Sequence, residues 1–286
     1  MLGVHTSISG GLSMALERAS LLGCDAVQLF AGSPRSWARG ALKEEDARDF
    51  KAKRRILGIR VVAVHTSYLI NLSSPDASIY RRSLGLFKKE LASAGVIGAD
   101  YLVTHLGSHR HRGIKFALHR LGSAIESVGR AGMNTTILFE NSAGAGDTFG
   151  SRLNEIGLAI ERAEAAGLSC GLCFDTCHGL AAGYRMRTEA DIDALTDIIK
   201  NEVGIERLKL IHLNDSKHGL GSSQDRHEHI GKGKIGVKGL HALLSRPEFN
   251  SIPLILETPK KNEEDDRRNL RAVRKLLKWR LKCSTL

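Results

Sequence analysis

The chain has 286 residues, 42% hydrophobic and 26% charged, which is enough for a substantial buried core in one large domain or two small ones. No apolar run approaches the roughly 20 residues of a membrane helix. The start, Met1-Leu2-Gly3-Val4-His5, has no basic stretch leading into an apolar one, so no secretory leader is expected. Five thinly spread cysteines fit reduced thiols in the cytoplasm better than a disulfide framework.

The net charge of +11 suits a phosphate-rich partner. Residues 260–286, however, carry ten Lys or Arg against four Asp or Glu, so +6 of that excess sits in the tail. A basic tail is more often a solvated helix face than a nucleic-acid site. Charge therefore permits DNA without requiring it.

In chain order, short apolar or β-branched runs recur at Leu2–His5, Ala26–Phe30, Arg60–His65, Tyr101–His105, Thr135–Glu140, Gly171–Asp175, Leu208–His212 and Pro253–Glu257. Each is followed by a helix-like stretch, as in Leu12–Leu22, Leu84–Ala94, Leu118–Ala131, Leu153–Ala166 and Ala190–Glu202. Polar, glycine-containing loops are expected at 141–151, 214–225 and 231–239. Near the end, Glu263, Glu264, Asp265 and Asp266 precede a Leu270/Val273/Leu277/Leu281 stripe that finishes among Lys and Arg. Acids early and bases late suit the helix dipole, so this reads as a last outer helix.

Eight strand–helix units without a linker predict an α/β fold, a single-domain (β/α)8 barrel over residues 1–286. A doubly wound open sheet is the alternative, and it would gather its site at one crevice.

The strand ends carry the chemistry. Seven of the eight finish on His5, His65, His105, Glu140, Asp175, His212 and Glu257. One such residue at one strand end reads as a satisfied core group. Seven together predict a metal site at the C-terminal rim, where barrels build active sites. Asp175-Thr176-Cys177-His178 adds a second imidazole, and Asp225-Arg226-His227 adds two ligand types at i and i+2.

The candidate ligands are thus His65, His105, Glu140, Asp175, His178, His212, Asp225, His227 and Glu257. Nine mixed donors exceed one ion's needs, and their imidazole content favours zinc, with manganese or iron as substitutes. His5 is kept out of the ligand set as a supporting rim residue. His109, His111, His119, His218, His229 and His241 lie in loops or on expected helix faces, and ordinary surface positions are the default for most of them. Cys170-x2-Cys173-x3-Cys177 imitates a thiolate zinc site, but residues 170 and 173 of a strand face opposite sides, with Cys173 on the side of Asp175. Structural thiols are expected.

At these residues the chain resembles the endonuclease IV family of abasic-site endonucleases. The matching motifs run its length: Gly3-Val4-His5-Thr6-Ser7, His65-Thr66-Ser67-Tyr68-Leu69-Ile70-Asn71, His105-Leu106-Gly107-Ser108-His109, Phe139-Glu140-Asn141, Cys173-Phe174-Asp175-Thr176-Cys177-His178, His212-Leu213-Asn214-Asp215-Ser216-Lys217, Asp225-Arg226-His227-Glu228 and Leu256-Glu257-Thr258. The resemblance implies a (β/α)8 barrel with three zinc ions. His65, His105 and Glu140 would hold one, Glu140 would bridge to a second completed by Asp175, His212 and Glu257, and His178, Asp225 and His227 would hold the third.

It further implies a DNA-repair hydrolase acting on double-stranded DNA with abasic sites. Glu140, Glu257 and Asp175 would serve catalysis, and Arg35 and Tyr68 would contact DNA. The Arg35 loop departs from the family's usual form at Pro34 and Ser36. Nothing in the sequence calls for more than a monomer, and no membrane partner is expected. Two other readings are a divalent-metal sugar isomerase on a related barrel and a non-catalytic DNA-binding scaffold. The first uses mostly carboxylate ligands, and the second would favour closed structural sites.

Overall fold

The computed structural model describes residues 1–38, 40, 42–128 and 134–283, the last five by their backbone alone. Eight parallel strands close into a barrel: β1 (Leu2–His5), β2 (Ala26–Phe30), β3 (Val61–His65), β4 (Tyr101–His105), β5 (Thr136–Glu140), β6 (Cys170–Asp175), β7 (Leu208–His212) and β10 (Leu254–Leu256). Each strand pairs with its successor, and β10 returns to β1 through the register Leu2↔Leu254 and Val4↔Leu256. Around it run α1 (Met14–Leu21), α2 (Glu44–Ile56), α3 (Ala77–Ile97), α4 (Ile114–Val128), α5 (Leu153–Ala165), α6 (Thr176–Ala182), α7 (Glu189–Glu202), α8 (Gly236–Leu244) and α9 (Glu263–Cys283). A short antiparallel hairpin, β8 (Asp215–Ser216) with β9 (His227–Glu228), stands on the rim after β7.

Alternation along the strands builds two cores. Ala26, Val61, Ala63, Val103, Leu138, Cys173, Leu210 and Ile255 fill the barrel. Their neighbours in sequence, among them Val62, Leu102, Phe139, Leu172 and Ile211, pack outward under the helices. Cys173 is inside and Cys170 outside, as strand parity requires, and both are free buried thiols.

This parity also aims the site. His65, His105, Glu140, Asp175, His212 and Glu257 each lie two residues beyond an inward-facing side chain of the barrel interior. They therefore continue the interior column upward to the mouth.

Several expected boundaries shift. Glu257 lies one residue past β10. Helix α3 begins at Ala77, where Asp76 accepts a hydrogen bond from the Ile79 amide, seven residues before the apolar pattern suggested. The loops expected at 214–225 and 231–239 contain β8 and the start of α8. Residues 129–131 of the helix expected at Leu118–Ala131 lie outside the described residues. In α9 the buried stripe is Leu270, Val273 and Leu276; Leu277 is only partly buried.

Candidate metal centre

The nine expected ligands come together at the barrel mouth. One donor atom from each of His65, His105 and Glu140 lies within 4.8 Å of the others; so do donors of Glu140, Asp175, His212 and Glu257, and of His178, Asp225 and His227. Glu140 belongs to two of these groups and is the hub. Its Oε2 is 3.0 Å from His65 Nε2 and 3.4 Å from His105 Nε2, while its Oε1 is 2.9 Å from His212 Nδ1. His212 Nδ1 is also 3.2 Å from Glu257 Oε2, and His178 Nε2 is 3.1 Å from Asp225 Oδ1. His5 stays at the edge, its Nδ1 3.5 Å from Glu257 Oε1.

A second layer orients these groups. His65 Nδ1 donates to the Thr66 carbonyl, His178 Nδ1 to that of Asn141 and His227 Nδ1 to that of Glu257, so each presents Nε2 to the cluster. Asn141 clasps Asp175 through backbone atoms, accepting from its amide at 2.7 Å and donating to its carbonyl at 3.1 Å. Asn214 donates to Asp175 Oδ2 at 2.6 Å and accepts from the Glu257 amide at 2.8 Å. Asp175 Oδ1 meanwhile caps α6 by accepting from the His178 amide.

These donors fit divalent metal ions. Among the described residues, Nε2 of both His178 and His227 is buried without a partner in hydrogen-bond geometry, although carboxylate oxygens of Asp225 and Asp175 lie 3.1 and 3.4 Å away. A buried polar atom is rarely left unpaired, and one aimed at anionic neighbours suits a shared cation. The electrostatics agree. Burial opposes charge on His227, but Asp175 and Glu257 outweigh it and raise its pKa to about 9. Against the same burial, carboxylates hold His178 well above the ordinary histidine value, and the neighbouring Cys173 sulfur with Glu257 and Glu140 does the same for His212. Burial would raise Glu140, yet the surrounding imidazoles hold it well below the ordinary carboxylate range. Such a field collects positive charge, as protons or as metal ions.

A cavity of about 560 Å³ opens over the cluster, lined by Arg35, Tyr68, Arg226, Lys260 and Asp266 besides seven of the nine expected ligands. Tyr68 is 62% exposed and meets Phe30 edge-on at 5.2 Å. Arg35 is exposed on a turn whose Pro34 carbonyl accepts from the Ser67 hydroxyl at 2.7 Å, which ties the loops bearing Arg35 and Tyr68 together. The Ser67 amide in turn donates to the fully buried Glu90 carboxylate of α3.

The sequence reading overlooked Arg226 and Lys260, and it gave no role to Asn141 or Asn214. His109 is an exception to the surface positions expected for most of the remaining histidines: it is buried, its Nδ1 accepting from the Gly113 amide. Cys177 is buried near Asp175 and His227, and burial together with the Asp175 charge pushes its thiol up to about 12.

Residues 16–282 match the family model of xylose isomerase-like TIM barrels. A Halothermothrix orenii protein named "Probable endonuclease 4" is 40% identical over 265 residues, covering 92% of this chain and 95% of its own. A relative of the same name in Methanosphaerula palustris is also 40% identical, covering 96% and 97%. The solved endonuclease IV of Thermus thermophilus superimposes with a TM-score of 0.86 at 35% identity, over 97% of this chain and 98% of that one. A D-tagatose 3-epimerase-like protein reaches 0.74 at 14% identity over 99% of each chain, a likeness of fold alone.

Proposed function

This chain belongs to the endonuclease IV family and is a metal-dependent enzyme of DNA repair; we propose that it uses three zinc ions to hydrolyse the phosphodiester 5′ to abasic sites in double-stranded DNA. The products are a 3′-hydroxyl and a 5′-deoxyribose phosphate. The observation that carries this reading is the convergence of five imidazoles and four carboxylates into three donor groups, two of which share Glu140.

In the proposed assignment, His65, His105 and Glu140 hold one ion. Glu140, Asp175, His212 and Glu257 hold the second, and His178, Asp225 and His227 the third. When bound, the zinc ions supply a water-derived nucleophile near neutral pH and offset the charge of the phosphate and the leaving oxygen.

The chain's own groups do the rest. Glu140 joins the first two donor groups, and Asp175 and Glu257 orient the attacking water. Asp225 is 57% exposed on its side chain, so the third group faces the open cavity where the leaving oxygen would lie. Arg35 and Arg226 line that cavity with positive charge for the backbone phosphates, while Lys260 is paired with Asp266 at its edge. Tyr68 offers an aromatic face to the gap left by the missing base. A duplex bends and opens more cheaply there because stacking is already lost.

A duplex with a single abasic analogue tests the proposal. Zinc-replete protein nicks it on the 5′ side of the lesion, and Glu140→Gln folds normally but nicks at least about 100-fold more slowly. Tight binding by zinc-replete protein without nicking would instead make it a scaffold.

A further inference from the structure

Four of the five imidazoles in the metal centre have a defined partner for the second ring nitrogen, and only one of those partners is a side chain. His65, His178 and His227 each donate to a backbone carbonyl. His212 Nε2 instead lies 2.8 Å from Oε1 of Gln28, on β2. Gln28 is fully buried and stands two residues beyond Ala26 of the barrel interior, paired in register with His5 and Ala63. It thus forms part of the floor beneath the donor groups. Its Nε2 is 2.6 Å from Glu257 Oε1 and 3.1 Å from His5 Nδ1.

We propose that Gln28 is the positioning residue of the middle ion site, fixing the tautomer of His212 and the rotamer of Glu257 through one amide. Glu257 sets which way round the amide sits. Rotated by half a turn, Gln28 would press its oxygen against the Glu257 carboxylate, two acceptors at 2.6 Å with no proton between them. With the NH2 group toward Glu257 and His5, Oε1 must face His212, and the only compatible neutral ring carries its proton on Nε2. The lone pair is then on Nδ1, the nitrogen that faces Glu140 and Glu257. One neutral side chain therefore holds an imidazole and a carboxylate in ligand geometry without adding charge to the site. The arrangement rests on the proposed ligand assignment, and a hydrogen-bond partner behind a ligand is worth about 10–100-fold in metal affinity.

Two measurements test it. Nitrogen-15 imidazole NMR of the zinc-loaded wild-type protein shows His212 protonated on Nε2; a proton on Nδ1 overturns the proposal without any variant. Gln28→Leu keeps the side-chain volume and removes both hydrogen bonds. In zinc competition against a graded chelator series it weakens one ion by about tenfold or more and leaves the others near wild type. Gln28→Glu keeps an acceptor for His212, so the Nε2 proton persists while repulsion from Glu257 still lowers affinity. If Gln28→Leu retains wild-type affinity for every ion, the proposal fails. Absence of zinc binding or nicking in the wild type would instead strike the proposed function itself.

Discussion

Tyr68 and Arg35 stand at the mouth of the cavity with little of the fold resting on them. Tyr68 is more than half exposed, and Arg35 lies on an exposed turn. Truncating either to Ala should shift stability by no more than about 0.5 kcal/mol. On abasic duplex, both variants should raise KM by about tenfold, the loss of roughly 1.4 kcal/mol of binding, with zinc content unchanged. A fall in zinc content would show that these side chains support the cluster rather than the DNA.

The residues of the donor cluster were legible in the sequence because histidine and carboxylate are costly inside a covered barrel, so their recurrence at strand ends carried information. Asn141, Asn214 and Gln28 were not legible in the same way. Neutral amides are ordinary residues, and only their pairing at 2.6–2.8 Å with Asp175, Glu257 and His212 reveals what they do.

Among the elements, the β8–β9 hairpin decides whether the third donor group exists, since it brings in Asp225 and His227. It is short, and much of its anchoring comes from Asp215, whose buried carboxylate accepts from the amides of Gly233 and Ile235 at 3.0 Å each and from Gly236. The fit at Gly233 is tight, since a Cβ there would meet the Ser216 carbonyl oxygen at 2.3 Å. Asp215→Ala strands those amides and should cost about 3 kcal/mol in chemical denaturation. It should also lower affinity for one ion, measured by chelator competition, more than for the other two. Equal weakening of all three would contradict the hairpin's local role.

Two-residue strands leave no periodic trace, and for that reason the hairpin read as loop. Helix α2 was expected only as the helix-like stretch after the second strand, without bounds, for a different reason. Only Ala47 and Phe50 of its residues are buried, and all the others except Ala52 and the exposed Ile56 are charged, so it has almost no apolar stripe to find.

For the molecule as a whole, the basic tail proves to be an outer helix. Leu270, Val273 and Leu276 of α9 are buried, while Arg274 donates to the carbonyls of Leu22 and Gly23 and Arg268 pairs with Asp265. Its charge is largely that of a helix face, and the positive groups at the cavity are Arg35 and Arg226, with Lys260 paired to Asp266. Among the described residues no helix is long and apolar enough to cross a membrane. The barrel was legible from the spacing of its strands, because a parallel sheet covered on both faces leaves apolar runs that helical segments must separate. In the proposed assignment, side chains from the ends of six strands, from α6 and from the hairpin together hold three ions. Elemental analysis of purified protein, with anomalous diffraction at the zinc edge, tests it most directly. The account predicts close to three zinc atoms per chain, one in each donor group with Glu140 shared between two. A single ion or none, or ions located away from these nine side chains, would contradict it.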